Sequence, residues 1–405
     1  MILAFSTLIW NGCAYLYSVA CIRYLGPTDY GDIAALLALG ALVAIPLGSV
    51  QIVVAREVAH LDSQAATGRL LRRITARLGL VGLALFVLGL VLVGPIQDLL
   101  RVGSRTAVVA GLSAIVFAIM AAGLFGILQG ALRFKALGLT YGVGGISRVA
   151  FVVPALLFGF GVVGALVVNT LAGVLAVALS AFCLRDLWRI EGSTEDMHFD
   201  NREVTVMVAG SLAFASLTNV DVILAAYFLP GDVAGVYAAA ALVGKAVLFL
   251  PGAIVTVLLP KATVRAAAGL SPHKILLASA AVTLMITLTA TVLLALVPES
   301  LLVWAFGGDF REATDLLAWF GLAMTAAALV NVYLSVYFAE RDARFPLLVL
   351  AAAVAQVVAV CLWHPNPRSI VLVTLACASA VLVIHELAFP YALIRLRRKG
   401  QLALD

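Results

Sequence analysis

Charge is what this sequence has least of. Asp, Glu, Lys and Arg make up 12% of its 405 residues, about half their share in soluble domains, so no continuous water-facing surface can be built from it. Cysteine is sparse too: Cys13, Cys21, Cys183, Cys361 and Cys377 stand singly with no Cys-x-x-Cys pair, so neither a disulfide framework nor a metal site is expected. No glycine-rich stretch runs into Gly-Lys-Ser or Gly-Lys-Thr, which excludes the phosphate-cradling loop of an ATP-driven pump. The N-terminal apolar stretch lacks the basic leader and small-residue cleavage site of a signal peptide and reads as a retained span.

What fills the sequence instead is hydrocarbon: 64% of residues are apolar and the mean hydropathy is +1.13. The apolar residues come in runs of about 18–26, the length of helix that crosses a hydrocarbon core about 30 Å thick. Only helices are plausible, because unpaired backbone groups in lipid cost several kcal/mol each. Twelve spans follow: Ile2–Ile22, Ile33–Val54, Leu78–Ile96, Ala107–Gln129, Ala136–Phe158, Gly161–Cys183, Val204–Leu229, Val233–Leu259, Ile275–Val297, Leu316–Phe338, Pro346–Leu362 and Ile370–Ile394.

Of the 26 Lys and Arg, 19 fall in the loops after even-numbered spans or in the tail; Arg23, Arg101, Arg105, Arg311 and Arg368 fall after odd-numbered spans; Arg148 and Lys245 lie inside spans. This asymmetry puts both termini in the cytoplasm of a multi-pass cell-membrane protein. The net charge of +5 is thereby explained by topology and contact with anionic membrane lipids, with no nucleic-acid partner implied.

The longest polar stretch, Leu184 to Glu203, lies near the middle. Sliding the chain so that Leu25 meets Leu229 also brings Gly31 onto Gly235, Ala34 and Ala35 onto Ala238 and Ala239, Gly40 onto Gly244 and Gly48 onto Gly252, with Pro46 and Pro251 one position out of register. Six spans separate each pair, so the halves insert in the same sense as a parallel repeat about an axis along the membrane normal, an arrangement common in transporters. The expected domains are a six-helix lobe at 1–190, a cytoplasmic linker at 191–203 and a second six-helix lobe at 204–405. Pro46, Pro154 and Pro251 are hinge candidates because a proline inside a helix removes a backbone hydrogen bond and kinks it; the plainer reading is that membrane helices tolerate proline.

The turn Arg23-Tyr24-Leu25-Gly26-Pro27-Thr28-Asp29-Tyr30-Gly31 resembles the R-x-L-G-P-x-x-Y/F-G turn of the polysaccharide export and oligosaccharide flippase family, within the multidrug, oligosaccharidyl-lipid and polysaccharide exporter superfamily. Leu128-Gln129-Gly130-Ala131-Leu132-Arg133-Phe134, Asn219-Val220-Asp221 and Gly235-Val236-Tyr237-Ala238 with Pro251 and Pro260 fit the same family in the same order. The resemblance implies a V-shaped bundle of six plus six helices. It also implies a flippase moving a polyprenyl-diphosphate-linked oligosaccharide from the cytoplasmic to the outer leaflet by alternating access, beside other polysaccharide-assembly proteins.

Within that frame Arg148 and Lys245 are the substrate-binding candidates, since a charge at a helix centre costs roughly 2.5–3.5 kcal/mol and needs a wet cavity or a partner to offset it. Two cations on a central cavity would attract a diphosphate, with Arg able to grip it through two hydrogen bonds. Gln51, one turn past Pro46, is the best uncharged cavity candidate; Arg56 at a cytoplasmic end and Arg23 at the outer turn are weaker ones, for which topology and turn closure are the simpler roles. Asp221 with Asn219 forms a candidate site for coupling to Na+ or H+, since hard cations prefer oxygen ligands; the alternative is an ion pair with Lys245 on the next helix. No other cofactor is expected.

Two competing functions remain open at this point. A cation-coupled multidrug exporter of the same fold would favour an acid-rich cavity. A polytopic glycosyltransferase or polymerase would carry catalytic groups on a large external loop, and the largest here, Pro298 to Asp315, holds Glu299, Asp309, Arg311, Glu312 and Asp315 in no recognisable motif. A transporter, not an enzyme, is therefore expected.

Overall fold

The computed structural model describes residues 2–61, 63–190, 201–252, 273–389 and 391, and all regular elements among them are helical. They are α1 Ile2–Leu25, α2 Pro27–His60, α3 Gln64–Val91, α4 Val93–Leu100, α5 Arg105–Gly130, α6 Phe134–Leu157, α7 Gly161–Cys183, the single turn α8 Arg185–Trp188, α9 Asn201–Phe228, α10 Gly231–Phe249, α11 His273–Ala295, α12 Glu299–Phe306, α13 Thr314–Ala339, α14 Arg344–Leu362 and α15 Pro367–Ala388. Eleven of the described helices are long and apolar enough to cross a membrane. The 24 residues of α1 reach about 36 Å at 1.5 Å per residue and bring the long helices to the expected twelve.

The element ends correct several expectations. Arg69, Arg72, Arg73 and Arg77 sit on the first turns of α3, not in a loop, because that helix continues beyond its apolar stretch. The same span breaks at Leu92 before α4, where the ring of Pro95 would collide with the carbonyl of Val91. Asn201–Glu203, expected in the linker, form the first turn of α9; residues 191–200 lie outside the described part. The segment expected as an external loop at Pro298 to Asp315 carries regular structure: α12, a 3-10 turn at Gly308–Ala313 and the start of α13. Phe306 and Phe310 anchor it, 5% and 1% exposed, with Phe310 edge-on to Tyr30 at 6.4 Å.

Helix packing follows one scheme twice. In the N-terminal half α1 lies along α6, α2 along α5, α3 against α5, and both α5 and α6 against α7; in the C-terminal half α9 lies along α14, α10 along α13, α11 against α13, and both α13 and α14 against α15. The outermost helices, α3 and α11, turn Leu80, Leu83 and Val87 and Met285, Val292 and Leu293 outward, as a hydrocarbon solvent requires.

The lobes meet chiefly through α2, which runs against α9 and α10, while the matching pair α1 and α10 touch sparsely. At the end that carries the α1–α2 turn, Gly26 has φ 79°, a conformation open to glycine, and Pro27 starts α2 with its fixed φ. The turn lets α2 and α10 approach at backbone distance: a Cβ on Gly31 would lie 3.3 Å from Gly231 O, and one on Gly235 only 1.8 Å from Pro27 O. Arg23 Nη1 donates to Trp304 O across the same end at 2.9 Å. Toward the opposite end of α2, Glu203, 7% exposed, bridges Arg56 of α2 and Arg341 after α13, the latter at 3.0 Å, and the Ser49 and Ser211 hydroxyls are 2.6 Å apart.

Candidate functional site

On α1, Thr7, Trp10, Ala14, Tyr17 and Ser18 recur at helical spacing and so share a face. Opposite them α2, α5 and α7 present mostly small residues, among them Gly40, Ala44, Gly48, Ala118, Ala122 and Gly173, and the space between is a cavity of about 520 Å³ inside the N-terminal lobe. That volume is in the usual range for small-molecule sites. Small side chains cause the void: a Cβ added at Gly40 or Gly48 would meet nothing within 4 Å.

Arg148, in the second half of α6, reaches this cavity and is the one charged residue among the described residues lining it. Its guanidinium carbon lies 5.1 Å from the Trp10 ring centroid and 6.0 Å from that of Tyr17, contacts that offset part of the cost of a cation in lipid. No carboxylate among the described residues pairs with it, and its Nε is buried with no hydrogen-bond partner. Gln51 lines the same cavity, with Nε2 donating to Gln129 Oε1 at 2.9 Å and to Tyr141 Oη at 3.2 Å. Trp10, Phe125 and Tyr141 form a ring cluster on that wall, with centroids 5.6 Å apart for Trp10 and Tyr141 and 4.9 Å for Phe125 and Tyr141.

Lys245 is not on this cavity. Its Nζ lies 3.3 Å from Asp221 Oδ1 and 3.5 Å from Asn219 Oδ1, while Tyr237 Oη donates to Asp221 Oδ2 at 3.0 Å. The expectation of two cations on one wall is therefore corrected: α10 hands its cation to an acid on α9, and Arg148 alone faces open space. Lys245 can do this because side chains on a helix lean toward its N-terminus, which for α10 is the end nearer Asp221.

The remaining candidates are dispersed. Arg23 and Arg56 are spent on the contacts toward the two ends of α2 described above. Pro46 lies inside an unbroken α2, Pro154 three residues from the end of α6, and Pro251 just beyond the end of α10. The last two are thus not mid-helix, and residues 253–259 of the expected eighth span lie outside the described part. Trp10, Tyr17, Phe125 and Tyr141 carry the cavity wall yet were not singled out from the sequence; the signal was the spacing of Trp10, Ala14 and Tyr17 along an otherwise aliphatic first helix.

The family model described as polysaccharide biosynthesis protein matches residues 1–263. No curated protein matches the sequence. Among solved structures, the chain is similar to the lipid II flippase MurJ in an inward closed conformation, with TM-score 0.72 and 12% identity over 98% of this chain and 87% of that one. It is also similar to the eukaryotic MATE transporter AtDTX14, with TM-score 0.68 and 12% identity over 100% and 98%. An inward-facing multidrug resistance MATE family transporter of the MOP superfamily gives TM-score 0.65 and 16% identity over 98% and 96%. These likenesses establish the two-lobed, V-shaped fold of that superfamily.

Proposed function

Because the chain belongs to the polysaccharide biosynthesis protein family, we propose that it is a flippase that carries a polyprenyl-diphosphate-linked oligosaccharide from the cytoplasmic to the outer leaflet. The observation that carries this reading is Arg148, a membrane-embedded cation facing a cavity with no acid among the described residues that line it. A cation left without a counter-ion in lipid is costly, and a diphosphate entering the cavity would supply the missing charge. Gln51 and the Trp10, Phe125 and Tyr141 rings then offer amide and stacking contacts to the sugars.

Alternating access would open and close the seams at the two ends of α2. The inner seam held by Arg56, Glu203 and Arg341 faces the cytoplasm when both termini do, as the 19 to 5 division of basic residues favours. A multidrug exporter handling cationic compounds would need carboxylates on the cavity, and the lining has none.

The test uses the full chain in proteoliposomes loaded with a fluorescent polyprenyl-diphosphate disaccharide. Arg148→Ala is expected to slow translocation at least tenfold, with Arg148→Lys in between, because one charge-assisted contact is worth about 1.5–3 kcal/mol. A normal rate for Arg148→Ala would overturn the proposal.

A further inference from the structure

The C-terminal lobe contains a second membrane-embedded polar cluster that the cargo reading does not use. Asp221 is fully buried, and a lone carboxylate at that depth must be neutralised by a proton, an ion or a side chain. Two oxygens, Asp221 Oδ1 and Asn219 Oδ1, converge on a single point, and that point holds the Lys245 ammonium at 3.3 and 3.5 Å. The Asn219 amide nitrogen is committed to Ala215 O at 2.9 Å and Thr218 Oγ1 at 3.0 Å, which turns its oxygen toward the lysine. Tyr237 holds the other carboxylate oxygen at 3.0 Å. This is an oxygen donor set suited to a hard cation, with a covalently attached cation already in it.

The cluster also lies at a lobe contact. Tyr15 of α1 donates its hydroxyl to the carbonyl of Leu242, one turn before Lys245 on α10.

We propose that Lys245 is a tethered cation: its ammonium fills the position that a monovalent metal ion would otherwise take between Asp221 and Asn219, so the protein works without bound Na+. The inference does not depend on the cargo, because it concerns the C-terminal lobe's own charge.

Two measurements test it on the purified full chain: thermal unfolding in NaCl against choline chloride at equal ionic strength, and binding of radioactive Na+. The wild type is expected to unfold at the same temperature in both salts and to bind no Na+. Lys245→Ala is expected to unfold earlier in choline, to recover by several degrees in Na+, and to bind Na+, since a ligand that binds only the folded state raises its stability by mass action. Adding Asp221→Asn to Lys245→Ala removes both responses. If Lys245→Ala cannot be recovered, Lys245→Gln keeps most of the bulk without the charge and carries the same outcomes. Na+ binding by the wild type, or a folded lysine variant indifferent to Na+, would overturn the inference.

Discussion

Gly40 and Gly244 occupy matched places in the two lobes, yet a methyl group at Gly40 would meet nothing within 4 Å, while one at Gly244 would sit 2.2 Å from the Phe320 Cβ. The same contrast holds for charge. Arg148 in one lobe faces open space with no acid among the described residues; Lys245 in the other is held by Asp221. One packing scheme thus serves two interiors. In the N-terminal lobe small residues on α2, α5 and α7 leave a hollow; at the matched place in the C-terminal lobe Phe320 closes against Gly244 and lies edge-on to Tyr237 at 5.1 Å. A shared backbone does not make the lobes equivalent, and the asymmetry gives cargo and counter-ion separate places.

The sharpest way to break this comparison is to remove one charge at a time and measure thermal unfolding in detergent. Asp221→Ala strands a largely buried lysine and should lower stability by about 3–5 kcal/mol, most of which returns in the double variant Asp221→Leu with Lys245→Met, because an apolar pair of similar volume removes both desolvation terms. Gly244→Ala should cost about 1–3 kcal/mol by forcing Phe320 out of place, whereas Gly40→Ala should cost nothing. Arg148→Met should move the other way, raising stability by about 1 kcal/mol, since that cation has no carboxylate to lose and its contacts with the Trp10 and Tyr17 rings offset only part of its cost. Equal losses for Arg148→Met and Asp221→Ala would mean the lobes are not different in kind.

The lengths of the apolar runs and the order of the small residues made the helix number and the duplication legible, because both are properties of a one-dimensional pattern. The cavity was not, because it is formed by what is missing from α2, α5 and α7, and a glycine facing a void reads like a glycine packed against a neighbour. Gly40 and Gly244 were matched in the sequence; only the placement of Phe320 separates them. The fate of Lys245 turned on the rotation of α9 and α10, so an ion pair with Asp221 stood beside ion coupling until the geometry chose the contact. Arg72 was read as a loop residue because it is charged, although it donates from a turn of α3 to the carbonyls of Trp188 and Ile190, each at 2.9 Å. Outside the membrane a helix needs no apolar pattern to continue.

The smallest expected effect lies where the duplication kept one residue and changed its partner. Arg133 and Arg344 precede or start equivalent helices, α6 and α14. Arg133 grips both oxygens of Asp186, 53 residues on in α8, while Arg344 binds Asp342, two residues before it. The hydrogen bonds from the arginine hold each aspartate below the usual carboxylate range. A lowered folded-state pKa contributes stability above the unfolded value, near 3.9, and that contribution disappears as pH falls through the folded value. Both pairs are solvent-exposed, so the N-terminal one is worth less than about 1 kcal/mol. The two should still differ, because the unfolded chain can form a contact between residues two apart but not one across 53 residues, and only a contact absent from the unfolded state favours folding. Asp186→Asn should therefore lower the unfolding temperature slightly at pH 7 and flatten its decline toward pH 3, while Asp342→Asn changes neither measurably; the reverse order would show that the N-terminal pair does not tie α8 to the start of α6.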